Sequence, residues 1–284
     1  MKYIYVAEHE KETLVLKDKI TQEELDYLNS AFFICGIYHS ITQIKNVVIE
    51  NGQDFQHYMN PTNLQTLRNN NTTPERLILL ANKQVLNYAS SIKTYIDMEL
   101  RLLTKYKTKT EITLFNDLCH KFYDNHMEYR FWMNFRNYIV HCDFPYAVFH
   151  EKINMPCKVI CTKDHLLQFN NWKHSKNDIL KMGNEIDLPK MVNNMSSLIL
   201  ALYIDFFSYF GTQIMDGIKI YGEFCQKHNV NSPYIIKLDN PKDLSGANMQ
   251  PLPVPDEYYG AAEPPVRCGE SHLSGLTEPP HFVY

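Results

Sequence analysis

Residues 135–146 read Phe135-Arg136-Asn137-Tyr138-Ile139-Val140-His141-Cys142-Asp143-Phe144-Pro145-Tyr146. One arginine, one asparagine and one histidine fall within six residues, at the end of a long helical pattern. Pro145 stops that pattern, because its ring removes a backbone donor and restricts the residue before it. A helix end leaves backbone groups without a partner inside the helix, and polar side chains clustered there are placed to meet a ligand. Arginine keeps its charge, and its planar fork matches phosphate oxygens. Histidine takes or gives a proton near neutral pH. Together they can hold a phosphodiester and move a proton on it without a metal.

Working outward, the helix that carries the cluster is predicted from Thr110 to Val140, with Asp124-Asn125 as a point of interruption. Its seam is Phe115, Leu118, Phe122, Tyr129, Trp132 with Met133, Arg136, and Ile139 with Val140. Arg136 thus lies on the side that faces a packed interface. Arg136 and His141 are five residues apart, about 140° round an ideal helix. They converge only if the last turn unwinds, or if one protomer's arginine meets the other's histidine, and the sequence leaves both open. The preceding helix opens at Thr73-Pro74-Glu75 with a cap, a first-turn proline and an acid at the positive end of the dipole. It is predicted to run to about Lys105, with Ile78, Val85, Tyr88, Ile92, Tyr95, Ile96, Leu102 and Leu103 as its seam. Glu99 falls on that seam, either at its edge reaching water or buried as partner to a cation such as Arg136.

Further out, residues 2–7 alternate as a strand does, with Glu12 to Leu16 as a partner. Thr21 and Glu24 form a capping box for helix reaching toward Met59, in one piece or in two around Gly36 and Gly52. Pro61 and the run 69–73 mark a loop. After Pro145, residues 158–162 and 165–169 read as a short hairpin. Ser175 caps a short helix to Met182, Pro189 opens a long helix to about His228 that Gly211 divides, and 232–238 return as a strand. Eight of the 14 prolines lie between Pro241 and Pro280, so 239–284 read as an extended or disordered tail. It is either passive or a partner-binding segment. The fold class is mainly α, with one helical domain over 1–238 and small β additions.

The chain has 284 residues, is 44% hydrophobic and carries a net charge of −4. That balance argues against charge-driven coating of nucleic acid, while leaving room for a focused basic site. Seven scattered cysteines, an odd number, read as reduced thiols in a cytoplasmic protein. The N-terminus does not read as a signal peptide. Residues 195–210 are apolar but short and interrupted by polar side chains, so they read as a core helix and not a membrane span.

Arg136-Asn137-x3-His141 resembles the Arg-polar-x(4–6)-His signature of HEPN domains, and the wording around it, through Tyr138 and Pro145, is similar to that of bacterial members. The resemblance covers this dozen residues well and the flanking helices, from about Thr73, by pattern alone. It implies a HEPN-like antiparallel helical bundle that dimerises so that two motifs face each other. It implies metal-independent RNA cleavage to a 2′,3′-cyclic phosphate in the catalytic members. Many of those are toxins of toxin–antitoxin pairs or antiviral defence proteins. Other HEPN domains bind nucleotide or RNA, or act as scaffolds, without turnover. On this reading Arg136, Asn137 and His141 are catalytic, RNA is the substrate, a homodimer is the working form, and an antitoxin or other regulatory partner is a candidate. No cofactor is called for.

Other side chains are weaker candidates. His126 and Arg130 are four apart, share a helix face and would add positive potential near phosphate. Against this stands an ordinary solvated face, which also accounts for His120. Tyr138 reads as core packing, with stacking on a base as the lesser option. Asp143, like Glu99, is a candidate to orient the site, Asp143 through His141. Cys157-x3-Cys161-x3-His165 invites a zinc reading, but no clean second pair accompanies it, and ordinary strand burial gives the same spacing. No metal is assigned. The chain has no Walker motif, no His-Glu-x-x-His and no Gly-x-Ser-x-Gly, which removes the common NTPase, metalloprotease and esterase readings.

Overall fold

The computed structural model describes residues 3–10, 13–153, 155–231, 233–238 and 248–251, apart from the side chains of 9, 32, 35 and 248–251. Its elements in chain order are β1 (Tyr3–Glu10), β2 (Thr13–Ile20), α1 (Gln22–Met59), α2 (Pro61–Asn69), α3 (Pro74–Tyr106), α4 (Lys109–Asn125) and α5 (Met127–His141). Next come β3 (Tyr146–Lys152), β4 (Met155–Thr162), α6 (Lys163–Leu166), α7 (Ser175–Lys181) and β5 (Glu185–Ile186). After a 3-10 turn at Leu188–Met191 follow α8 (Val192–Ser208), α9 (Gly211–His228), β6 (Tyr234–Leu238) and β7 (Asn248–Pro251). The protein is thus mainly α with small antiparallel sheets. Contacts divide it into two compact units, one drawing on residues up to Ser40 and from Phe207, the other on Ile41–Phe206.

In the first unit the strand order is β2-β1-β6-β7, all antiparallel. Ile4, Val6, Ile20 and Ile235 of this sheet pack with Leu25 and Leu28 of α1 and Tyr221 and Phe224 of α9. β7 falls within the segment read as tail, so the sheet extends into it at 248–251. The rest of that segment lies outside the described residues.

The second unit carries the sequence cluster. α1 runs unbroken through both glycines. At Gly52 the reason is a close approach: a Cβ there would stand 2.8 Å from a Val192 methyl and 3.0 Å from the Tyr88 ring, so glycine admits α3 and α8 against α1. Where a loop was expected after Pro61, α2 forms, with Asn60 capping it and proline in its first turn. α3 and α4 begin on threonine caps, the second a full capping box with Glu111. The interruption expected at Asp124-Asn125 is real, and α5 starts beyond it. The hairpin is one element upstream of its expected place. β4 pairs with β3, while 163–166 is a helical turn capped by the Thr162 hydroxyl. Local alternation in 165–169 lost there to a cap that satisfies a free N–H of the helical turn. α8 and α9 separate just before Gly211, as read.

Two helices, Gln22–Met59 and Leu188–Ser208, are long and apolar enough to cross a membrane by length and composition. Core helices of soluble proteins pass the same test.

Candidate functional site

α5 is anchored by aromatic side chains on one face. Phe131, Phe135 and Tyr138 are wholly buried around Trp172, Phe131 and Tyr138 stacked on it with ring centres 5.5 Å away and Phe135 tilted against it at 6.2 Å. Trp132 meets Tyr88 of α3 edge-on at 4.8 Å. Fixing these positions fixes the helix rotation, so the residues between them must turn outward. Asn137 and His141 are exposed and Arg136 is half-buried. None of the three makes a hydrogen bond or ion pair with a described residue.

The helix keeps its hydrogen bonding to the end: the Cys142 N–H donates to the Tyr138 carbonyl at 2.8 Å. The last turn is therefore not unwound. Asn137 and His141, four apart, lie on one face, while Arg136 stands on the opposite flank, about 140° from His141 by helical period. Between the flanks Val140 is 53% exposed, and Phe144 just beyond is 45% exposed.

The loop after the helix is held from behind. Asn82 of α3, itself buried, grips the Tyr146 backbone twice, its Nδ2 donating to the carbonyl at 2.8 Å and its Oδ1 accepting the N–H at 3.1 Å. The Phe144 carbonyl lies 2.9 Å from His165 Nε2 and accepts from the Tyr138 hydroxyl at 3.4 Å. Asn82 was not singled out from the sequence, and His165 was read there only as the third member of a zinc pattern with Cys157 and Cys161. Asn82 had a signal, since it interrupts the apolar stripe of α3 between Leu77 and Val85. For His165 the role in holding the loop had no signal, because its partners, the Phe144 carbonyl and the Asp143 carboxylate, are far away in sequence.

Several expected roles change here. Asp143 faces His165 at 3.6 Å and accepts from the Phe144 N–H, and it does not bond His141. Tyr138 is in the core, where no base can stack on it. Arg130 is a structural strut: its Nε and Nη2 clasp Asp178 of α7 at 2.8 and 3.2 Å, and Nη1 donates to the Tyr123 and Asp124 carbonyls at the end of α4. Its fork is occupied and not available to phosphate. His126 sits between α4 and α5 with its ring against Phe122. Glu99 is wholly buried, accepts from the Tyr95 hydroxyl, and leaves Oε2 without a partner. It does not meet Arg136. Burial pushes its pKa well up, against the lowering effect of the Tyr95 hydroxyl and with the nearby Asp205 adding to the rise.

Cys157 and Cys161 are buried on β4, and burial raises both thiols. Among the described residues no group of three His, Cys, Asp or Glu is arranged to hold a metal. No family model, curated protein or solved structure matches this chain.

Proposed function

We propose that the protein is a metal-independent endoribonuclease of HEPN type, a cytoplasmic homodimer with a toxin or antiviral role. The observation that carries this reading is the trio Arg136, Asn137 and His141, without partners among the described residues at the end of a helix whose neighbouring polar groups, Arg130, Asn134, Asn82 and Asp143, are all engaged. A polar residue held on a rigid element with its hydrogen-bonding capacity unused is available to a ligand.

The chemistry follows from the residue types. His141 takes the proton of a ribose 2′-OH, and the 2′-oxygen attacks the adjoining phosphorus. The P–O5′ bond breaks, and the 5′-oxygen leaves with a proton from a second acid, giving 2′,3′-cyclic phosphate and 5′-OH ends. Arg136 binds the non-bridging oxygens as charge builds on them. Asn137, on the His141 face, hydrogen-bonds phosphate or fixes the imidazole tautomer. Because Arg136 and His141 stand on opposite flanks of an intact helix, one phosphate reaches both when a second copy supplies one of them. That arrangement also supplies the second histidine as the acid. Exposed Val140 and Phe144 are the apolar surface on which such a pair of copies would close.

The test is cleavage of varied RNAs in EDTA by wild type, Arg136→Ala and His141→Ala, with product ends mapped. The expected result is cyclic-phosphate ends and a loss of about 10²-fold or more in each variant. Full activity in His141→Ala overturns the assignment. Binding of RNA with no turnover in any protein points instead to a non-catalytic RNA- or nucleotide-binding scaffold.

A further inference from the structure

A cavity of about 650 Å³ lies within the second unit, between the end of α1, the start of α2, strand β4, β5 and the start of α8. It is of the size that takes a small ligand or a few residues of peptide. Nothing in the nuclease reading uses it. Three features define what it would hold.

The first is a strand edge. β4 has β3 along one side, but on the other β5 pairs only with Cys161 and Thr162. Beyond that, the Lys163 N–H donates to the Asn184 carbonyl at 2.9 Å. At the opposite end the Cys157 N–H is taken by the Gln65 side chain at 2.9 Å. Main-chain groups alternate sides along a strand, so those of Val159 face the same edge as Lys163 and Cys161, and no described residue pairs with them. Val159 lines the cavity.

The second is a wall of side-chain amides. Gln56 Nε2 donates to the Pro189 carbonyl at 3.0 Å and to Asn193 Oδ1 at 3.1 Å. This leaves Gln56 Oε1 as an acceptor and Asn193 Nδ2 as a donor in the same cavity. The third is a buried hydroxyl: Tyr146 is 2% exposed, lines the cavity, and its OH has no hydrogen-bond partner among the described residues. A buried hydroxyl without a partner is costly, and a ligand that bonds it removes that cost.

The charge on the rim separates ligand classes. Among the described residues Lys158 and Glu185 carry no ion pair, while Lys190 is paired to Asp187 at 3.1 Å. A phosphate would meet one free cation beside two carboxylates. A peptide main chain, neutral and with alternating N–H and C=O groups, matches an open strand edge on one side and amides on the other. We propose that this cavity binds a short extended peptide that pairs with the edge of β4 at Val159, bonds the Tyr146 hydroxyl and is bracketed by the Gln56 and Asn193 amides.

The full-length protein is incubated with a pooled library of terminally blocked hexapeptides and, separately, with ATP, UMP and inorganic phosphate. Retained species are identified by mass spectrometry and their affinities measured by calorimetry. The expected result is a retained set of peptides, each weakened about tenfold by Tyr146→Phe and by Asn193→Ala, as one lost hydrogen bond warrants. Tyr146→Phe removes a group that has no partner in the free protein, so its thermal midpoint should hold or rise. N-methylation along a retained peptide should abolish binding at alternate positions, as strand pairing requires. Retention of nucleotide or phosphate without peptide, peptide affinity unchanged in both variants, or no retention by a folded chain overturns the proposal.

Discussion

Glu99 separates what a side chain is from where it sits. On the α3 seam it lies between Tyr95 and Leu102, both buried, with one oxygen on the Tyr95 hydroxyl and the other unpartnered. Burial raises its pKa well above the ordinary carboxylate value of 4.5. Between its unfolded and folded values the folded chain therefore holds a proton that the unfolded chain has lost. Its contribution to stability is full below the unfolded value and declines as pH rises from there toward the folded one, by up to about 1.4 kcal/mol per pH unit. Glu99→Gln keeps the shape without the titration. Urea unfolding of both proteins from pH 4.5 to 8 should show the variant gaining on wild type as pH rises. A constant difference across that range would mean that Glu99 does not titrate with folding. Arg136 and His141, by contrast, were correctly read as side chains at a helix end, because sequence spacing alone fixes their angular relation.

At the scale of elements, α5 and α7 are joined by the Arg130–Asp178 pair and by Ser175, whose hydroxyl donates to the Arg130 carbonyl at 2.9 Å and accepts from Asn134 Nδ2 at 3.0 Å. The Arg130 and Asp178 side chains are only 14% exposed each. Removing one partner of such a pair strands the other charge. Asp178→Ala should lower stability by about 2–4 kcal/mol, read as a fall in the urea midpoint, with RNA affinity of the folded variant unchanged. A stable Asp178→Ala protein with altered RNA affinity would return Arg130 to the binding surface. The Thr73 cap made the start of α3 legible in sequence, since a threonine that accepts from the N–H three residues on is a local device, whereas the Thr108 capping box that starts α4 two residues before the expected Thr110 was not read. The β3–β4 hairpin was not placed correctly, because strand pairing depends on the partner as much as on the strand.

For the molecule as a whole, the expectation that two copies close over the end of α5 makes a measurable claim. Light scattering at micromolar concentration should give a dimer, and Val140→Glu or Phe144→Glu, both at exposed positions, should give a folded monomer. RNA cleavage should fall with dimerisation in the same variants. A wild-type monomer that cleaves RNA, or a monomeric variant with full activity, removes the need for a second copy.

Legible from residues alone were the helical class, the capped start of α3, the break before α5 and the end of α5 in a polar cluster. All of these rest on interactions within a few residues. Tertiary structure decided which polar side chains remain available. Arg130 and Asp143 look as free as Arg136 and His141 in the sequence, yet Arg130 is clasped by a residue 48 positions away and Asp143 faces one 22 positions away. The cavity beside β4 was likewise invisible, because it exists only where β5 stops pairing and an unmatched stretch of main chain remains between Cys161 and the Gln65 cap. Local bonding is written in neighbours. The supply of unused hydrogen-bonding groups is known only once every distant partner is in place.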